Sequence, residues 1–257
     1  IFALLGVVFI SIHAVSQESH GLFYNEPAKK WEEALPLGNG RLGAMVYGGV
    51  SQEHIQFNEE TLWTGEPRSY AHKGAKNYLG EIRQLLFDGK QVEAQELMAE
   101  EFLSVPRNLM AYQPFGDLII DFPTHKDFRN YRRELDIENA ISKVSYQANG
   151  INYTREVFIS HPDQLIAVRL TTDKAGALDF SVYMDSKHFK KSVITYHDQQ
   201  RLDVRPDSEA QRFDPSNPSK SVLWGQAGLK VITDGELTPK NKEIFVSGAS
   251  QATIYLG

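Results

Sequence analysis

The feature that most constrains the fold of this chain is a series of short strand-like segments, separated by turn residues, that fills the sequence from Gly116 onward. The clearest example is the Asn149-Gly150 dipeptide, which joins the alternating segment 144–148 to the alternating segment 151–155. This dipeptide favours the type I′ turn of a two-residue β-hairpin. Further strands are predicted at 118–120, 131–137, 164–170, 178–184, 229–233, 243–246 and 252–256. The pattern predicts a mostly β fold, a large antiparallel β-sandwich (supersandwich).

A change of period predicts a short helical insertion near residues 75–103. Apolar residues at helical spacing indicate one helix around 79–86, which Asp88-Gly89 ends, and a second helix around 92–102. The glutamates of the second helix are most simply a solvated face. We expect the two helices to pack against the sandwich.

The N-terminal residues have the pattern of a secretory signal peptide. Residues 1–12 are apolar apart from Gly6 and Ser11, and Ala14-Val15-Ser16 supplies small residues at the spacing of a cleavage site. Because Met and a basic segment are missing before the apolar run, we interpret 1–16 as an N-terminally incomplete signal peptide. The alternative is a buried N-terminal strand or helix. A secreted or periplasmic protein of bacterial origin is expected, with no membrane association after cleavage.

Composition narrows the remaining possibilities for residues 17–257. The net charge of −6, with scattered Lys and Arg, argues against nucleic acid as a partner. The absence of cysteine means that a secreted fold must be stabilised by its hydrophobic core and not by disulfides. The alternating residues 252–256 run to the end of the sequence like a strand in progress. We therefore interpret 17–257 as one sandwich domain that is truncated on its C-terminal side.

Residues 36–65 concentrate glycines, amides, acidic residues and a tryptophan between short apolar runs. The run 44–47 predicts a buried strand that Gly48-Gly49 turns. A second strand is predicted through 54–57, with Ile55 and Phe57 on one face.

The same stretch contains a G-x-G-x-x-G pattern at Gly38, Gly40 and Gly43. In a dinucleotide site this pattern follows a strand and opens a helix, whose N-terminus binds the pyrophosphate. Here Pro36 interrupts the segment before the glycines, and a strand is predicted after them. A nucleotide site is therefore not expected.

Four motifs in order carry a family resemblance: WEEALPLGNGRLGAMVYGG from Trp31, IQFNEETLWTG from Ile55, the helical IRQLLFDGKQVEAQEL from Ile82 and YQPFGDLIIDF from Tyr112. Together they resemble the N-terminal β-sandwich domain of glycoside hydrolase family 95, which contains α-L-fucosidases and some α-L-galactosidases. The resemblance runs from about Phe23 to the last residue, and it covers only the front of such an enzyme.

The resemblance implies that catalysis belongs to an (α/α)6 helical barrel that follows the sandwich. In this family a glutamic acid of the barrel acts as general acid, and asparagine and aspartate residues position and activate the water of an inverting reaction. None of those positions exists in this sequence, so no catalytic residue, no metal site and no cofactor is predicted, and the chain alone is expected to be inactive. The implied partners are the barrel itself and fucose-containing glycans bound by the parent enzyme, with the choice between L-fucosides and L-galactosides left open.

The candidates for a substrate rim or a domain interface are Asn39, Arg41, Asn58, Glu59 and Trp63. A loop that mixes amides, opposite charges and an indole suits a polar interface or a network of sugar hydroxyl groups. The alternative is that these residues brace turns within the sandwich, since Asn and Gly often do so.

A second function remains compatible with the sequence: a free-standing carbohydrate-binding β-sandwich without hydrolytic activity. It requires an exposed concave face on which aromatic residues such as Trp31, Trp63 and Trp224 line up. The downstream reading frame separates the two, because a long helical-pair pattern supports the glycosidase and an early stop codon supports the binding module.

Overall fold

The computed structural model describes residues 20–206 and 222–257. The predicted signal peptide at 1–16 lies outside these residues. So does most of the polar segment 205–221, whose three prolines predict a long loop. Within them the chain folds into two antiparallel sheets that face each other, with a pair of α-helices inserted between two strands of one sheet. The predicted class, a mostly β sandwich with a helical insertion, is confirmed.

The strands are numbered along the chain, but within each sheet neighbouring strands are often distant in sequence. In the described residues the larger sheet has nine strands, which lie side by side in the order β1 (Gly21–Tyr24), β6 (Phe128–Asp136), β7 (Ile141–Ala148), β8 (Ile151–Ser160), β9 (Leu165–Thr172), β16 (Gln251–Leu256), β13 (Gly225–Thr233), β12 (Gln199–Arg205) and β11 (Lys190–Thr195). The smaller sheet has seven, in the order β14 (Glu236–Lys240), β15 (Glu243–Ala249), β10 (Leu178–Asp185), β5 (Gly116–Asp121), β4 (Gln52–Glu59), β3 (Leu42–Val46) and β2 (Leu35–Gly38).

Alternation along the strands explains why the two sheets face each other. Every second residue of β7 is buried, and Ile55 and Phe57 of β4 are buried while their neighbours are half-exposed. Side chains of successive residues point to opposite faces of a sheet, so each strand presents one apolar row to the other sheet. Both central residues of the predicted hairpin, Asn149 and Gly150, have positive φ, and Ala148 pairs directly with Ile151. The predicted hairpin is confirmed.

The core lies between the inner faces of the two sheets. Ile55, Leu118 and Val182 of the smaller sheet and Val168 and Ile254 of the larger one are fully buried in it. Each such side chain contributes about 1.5–3 kcal/mol when it leaves water. The core thus holds the strand ends, and the loops that they carry, in fixed positions.

The structure corrects the interpretation of Pro36 and adds strands that the sequence pattern did not indicate. Residues Leu35–Gly38 form β2 despite the proline, because β2 lies at the edge of its sheet, where a strand tolerates a residue without an N–H donor. The glycine-rich pattern lies in the β2–β3 turn, with a strand on each side. Strands β11, β12 and β14 were not predicted.

The predicted helices are α1 (Ala75–Phe87) and α2 (Gln91–Glu101). Their main packing partner is each other, and Ile82 and Ala94 are their buried residues. We expected the helices to pack against the sandwich, but their contact with it is slight, and Phe87 and Val92 stay exposed. Neither helix in the described ranges is long and apolar enough to cross a membrane.

Candidate functional site

Asn39 shapes the turn between β2 and β3 and ties it to the other sheet. Its Oδ1 accepts hydrogen bonds from the backbone N–H groups of Arg41 at 3.0 Å and Leu42 at 2.8 Å. Its Nδ2 donates to the backbone oxygen of Ser160, at the end of β8, over 2.8 Å. This side chain therefore joins the two sheets at one end of the sandwich.

Arg41 and Glu59 form an ion pair beside this turn. Arg41 Nε lies 3.0 Å from Glu59 Oε1, and Glu59 Oε2 accepts from the backbone N–H and the hydroxyl of Thr61 at 2.8 and 2.6 Å. Burial alone would raise the pKa of Glu59, but the hydrogen bonds from Thr61 and Arg41 outweigh it and hold the pKa below its usual value. Glu59 is therefore ionised at neutral pH and unsuited to act as a proton donor.

Asn58 and Trp63 follow on the same side of the sandwich and are both half-buried. Asn58 Oδ1 accepts from the backbone N–H of Glu59 at 2.9 Å. Trp63 Nε1 donates to the backbone oxygen of Glu60 at 2.9 Å, and its ring centroid lies 5.2 Å from that of Tyr112. The hydrogen bonds of these two side chains brace the local backbone, while part of each surface stays accessible.

Two cavities adjoin these residues. One, of about 170 Å³, opens between the sheets and is lined by Arg41, Glu59, Phe115 and Gln226 among others. The second is a shallow groove of about 200 Å³ on the outer face of the smaller sheet, lined by Trp31, Met45, Gln56, Asn58 and Pro114 among others. A glycosidase needs two carboxyl groups across the scissile bond. Among the residues that the structure describes, the first cavity carries one carboxylate, which is ion-paired, and the groove carries none.

The three tryptophans of the chain adjoin one segment, residues 111–115. Trp63 contacts Tyr112, Trp31 shares the groove with Pro114, and Trp224 precedes Gly225, whose backbone lies against the ring of Phe115. Trp31 and Trp224 are more than half exposed. All three tryptophans were recognisable from sequence, but their common neighbour was not, because it is set by strand pairing between distant segments.

A buried polar cluster was not predicted from the sequence. Arg155 of β8 reaches across the core, where its Nη1 lies 3.2 Å from Glu53 Oε2, and its Nη2 donates to the backbone oxygen of Gly49. Glu53 Oε1 accepts from the backbone N–H groups of Gly48 at 2.8 Å and His54 at 3.1 Å. The two charged side chains are 1 % and 2 % exposed. Burial raises the pKa of Glu53, against the opposing effect of Arg155 and the backbone donors.

Two rings complete this cluster. His125 Nδ1 lies 2.9 Å from the hydroxyl of Tyr146. Burial, helped by the charge of Arg155, lowers the pKa of His125 to about 4, and burial raises the pKa of Tyr146 to about 12. Both rings are therefore neutral near pH 7. The signal that could have found the cluster is alternation, because Glu53 and Arg155 occupy positions that point inward on otherwise apolar rows.

Side chains that could bind a metal are dispersed over the described part of the chain. Within residues 20–206 and 222–257, no group of three or more histidine, aspartate or glutamate side chains is placed to hold a metal ion. Asn39 and Trp63 instead bond to backbone oxygens. Glu53 pairs with Arg155, and Glu59 pairs with Arg41.

These features define a large two-sheet antiparallel sandwich with a polar and aromatic surface at the end where β2, β3 and β4 turn. A family model described as "Glycosyl hydrolase family 65, N-terminal domain" matches residues 22–257. Because the match spans most of the sequence, the chain belongs to this family of glycoside hydrolase N-terminal domains.

Curated relatives are fucosidases. Alpha-L-fucosidase 2 of Arabidopsis thaliana is 40% identical over 204 residues, which are 78% of this chain and 24% of that protein. Probable alpha-fucosidase A of Aspergillus niger is 30% identical over 149 residues, 55% of this chain and 18% of its own. Probable alpha-fucosidase A of Aspergillus oryzae is 24% identical over 172 residues, 63% and 23% respectively. The predicted resemblance to the N-terminal sandwich of the α-L-fucosidase family is confirmed, and the chain matches a quarter or less of the length of these relatives.

Proposed function

We propose that this chain is the N-terminal β-sandwich domain of a glycoside hydrolase of the α-L-fucosidase type. The observation that carries the proposal is the 40% identity to Alpha-L-fucosidase 2 over 78% of the chain. Catalysis then belongs to an (α/α)6 barrel in the remainder of the full-length protein. The general acid and the residues that activate water for an inverting reaction lie in that barrel, and the substrates are fucose-containing glycans.

The sandwich packs on the barrel and lends its turns to the rim of the active site. Asn39, Arg41, Asn58, Glu59 and Trp63 are the residues assigned to this rim or interface. What supports the assignment is that Arg41 and Glu59 line the cavity and Asn58 lines the groove, while Asn39 shares the turn of Arg41. The ionised state of Glu59 and its pairing with Arg41 suit it to hold a turn or a sugar hydroxyl group and exclude it as the proton donor.

The full-length protein is proposed to be a secreted or periplasmic bacterial enzyme. The apolar residues 1–12, followed by small residues at 14–16, support this localisation. Mass spectrometry of the mature N-terminus after expression in a secreting bacterium tests it. Cleavage after residue 16 is expected, and retention of residues 1–16 in the mature protein contradicts it.

The activity is tested with the full-length protein and with residues 17–257 alone, on an aryl α-L-fucoside and on fucosylated oligosaccharides. The full-length protein is expected to release fucose with inversion, seen by proton NMR as the β-anomer formed first. Residues 17–257 are expected to release none. Fucose release by the isolated chain would overturn the proposal, because it would mean that the acid and the base lie in the sandwich.

The second candidate is a carbohydrate-binding module that acts without hydrolysis. The groove favours it, since an exposed indole from Trp31 lies beside the amides of Gln56 and Asn58, and sugar rings stack on indoles while amides bond to their hydroxyl groups. Calorimetric titration of the chain with fucosylated glycans tests this alternative. Binding that Trp31→Ala abolishes, together with a full-length protein that lacks hydrolytic activity, favours the module over the glycosidase.

A further inference from the structure

Five large apolar side chains are exposed at the end of the sandwich that carries the candidate residues. We call this set the aromatic end, and its members are Leu109, Tyr112, Phe189, Val222 and Trp224. Phe189 is 86% and Trp224 is 60% exposed. They come from three loops that are far apart in sequence, so their meeting is a property of the fold.

Backbone hydrogen bonds tie residues 222–224 and the segment with Leu109 and Tyr112 to the same two residues, Thr64 and Gly65. The N–H of Val222 donates to the oxygen of Gly65 at 3.0 Å, and the N–H of Thr64 donates to the oxygen of Ala111 at 2.9 Å. The side chain of Met110 lies against the backbone of Gly65, at a distance that leaves no room for a Cβ. Residues 222–224 are thereby fixed beside the segment that contains Leu109 and Tyr112.

The third loop, between β10 and β11, is held on the same segment. The hydroxyl of Ser186 donates to the backbone oxygen of Phe115 at 2.7 Å, and His188 Nε2 donates to that of Pro114 at 2.8 Å. Both donors are buried. The next residue is Phe189, whose ring is nevertheless turned to solvent. Two buried hydrogen bonds anchor this loop, so loose packing of the loop does not explain why Phe189 is exposed.

Two of the three loops of the aromatic end have the composition of an interface centre. The segments 109–115 and 222–227 contain no charged residue, whereas Lys187 and Lys190 flank Phe189 in the third loop. The exposed parts of Tyr112, Phe189 and Trp224 amount to on the order of 400 Å², since each aromatic side chain presents roughly 150–250 Å² when fully free. Exposed apolar patches of this size mark contact sites, and centres of interfaces are depleted in charge and rich in aromatic residues.

We propose that the aromatic end is the surface on which the remainder of the full-length polypeptide packs. The inference rests on the proposed function, which requires such a packing surface. Most of the length of the fucosidase relatives lies outside the region that this chain matches, so a covalently attached occupant is available. The Arg41–Glu59 pair lies at the edge of this surface, because both residues line a cavity with Phe115. The result is an apolar centre with a charged margin, as in other domain interfaces.

Hydroxyl-radical footprinting of the full-length protein tests the proposal. The modification rates of Phe189 and Trp224 are expected to fall about fivefold or more below those of free side chains, since interface centres exclude water. Ile232 serves as the internal control. It is 53% exposed and lies at the other end of β13 from Gly225, roughly 20 Å along the strand at 3.3 Å per residue. Its rate is expected to match its exposure.

The outcomes separate the possible occupants. Protection of Phe189 and Trp224 that does not depend on protein concentration supports the proposal. Full reactivity of both overturns it. Protection that appears only at high protein concentration indicates a second copy of the chain. Protection that appears only with added fucosylated oligosaccharide indicates a sugar site. Either result overturns the proposal.

Paired variants of the full-length protein give a second readout. Trp224→Ser and Phe189→Ser together are expected to expose the segment between the sandwich and the remainder to limited proteolysis, with a severalfold faster cleavage. Ile232→Ser is the matched control and is expected to leave that rate unchanged. Fucosidase activity is measured separately on the unmodified protein. An inactive protein with a protected aromatic end refutes the proposed function alone, and an active protein with an exposed aromatic end refutes this inference alone.

Discussion

Strand β4 carries a glutamate near each end, and each glutamate is paired with an arginine, but the two pairs have opposite surroundings. Glu53 and its partner Arg155 are fully buried between the sheets. The side chain of Glu59 is 14% exposed and that of Arg41 is 59% exposed. One strand thus holds the same chemical pair at two very different depths.

The comparison shows that depth, and not the presence of a partner, decides how each glutamate responds to pH. Burial raises the pKa of Glu53 even though Arg155 and three backbone N–H groups oppose it. At Glu59 the hydrogen bonds from Thr61 and the charge of Arg41 overcome a smaller burial effect, and the pKa falls. The buried pair fixes the two sheets against each other, and the exposed pair fixes a turn.

The largest effect is expected from breaking the buried pair. Arg155→Met leaves Glu53 without its partner in the core, and removal of one member of a buried pair costs about 3–5 kcal/mol. Urea unfolding of residues 17–257, followed by tryptophan fluorescence, measures the free energy of unfolding. A loss below about 1 kcal/mol, the range of surface pairs, would contradict the distinction between the two ends of β4.

The double variant Arg155→Met with Glu53→Gln is the control for that measurement. It removes both charges, so the cost of a lone buried carboxylate disappears. We expect it to be more stable than Arg155→Met alone. A double variant that is less stable than the single one would mean that lost packing, not the stranded charge, causes the effect.

A slightly smaller effect is expected from acid, through His125. Its folded-state pKa is lowered from 6.5 to about 4, so its contribution to stability is complete above pH 6.5 and is lost as the pH falls through 4. At about 1.4 kcal/mol per pKa unit, this loss amounts to about 3 kcal/mol. His125→Gln keeps a hydrogen-bonding group for Tyr146 and does not titrate. The difference between the two unfolding curves, measured from pH 7 to 4, is expected to shrink with acid, and a constant difference would contradict the buried neutral histidine.

Among the residues at the exposed end of β4, Asn39 is expected to contribute most to the free energy of unfolding. Asn39→Ala removes the acceptor of the β2–β3 turn and the donor to Ser160, and we expect a loss of about 1–2 kcal/mol in the free energy of unfolding. Asn39→Asp keeps the acceptor and lacks the donor, so it isolates the tie between the sheets. Equal losses in the two variants would mean that the turn bonds contribute nothing.

The smallest effect is expected from the exposed pair itself. Arg41→Met is expected to cost less than about 1 kcal/mol, and less still at high salt, because a partly exposed pair is screened. The lowered pKa of Glu59 means that its contribution is present above pH 4.5 and is lost as the pH falls through the folded-state value. Denaturant titrations at low and high salt check both expectations. An unfolding free energy that is insensitive to salt would indicate that Arg41 acts by packing.

The local features of this fold were predictable because they depend on neighbours in sequence. The turn at Asn149-Gly150 and the two faces of β4 follow from residue type and alternation. The strand that contains Pro36 was not predictable, since a proline is tolerated there only because β2 lies at a sheet edge, and edge position is a property of the whole sheet.

The same limit applies to the site. Asn39, Arg41 and Glu59 were named together because the stretch 36–65 mixes amides and opposite charges, and the structure brings them together. Glu53 and Arg155 were not recognised as a pair, because their contact joins strands of opposite sheets that no local pattern relates. The approach of Gly225, which follows Trp224, to the ring of Phe115 is hidden for the same reason.

The position of β16 has a consequence for how the protein is made. In the nine-stranded sheet β16 lies between β9 and β13, and its register with both is antiparallel. Until residues 251–256 leave the ribosome, the sheet consists of two halves with open edges, and unpaired edges are prone to pair with other chains. The nascent domain therefore depends on β16, which is made after both of its neighbours, to close a gap in its middle, and holding factors that shield strand edges during synthesis would raise its yield.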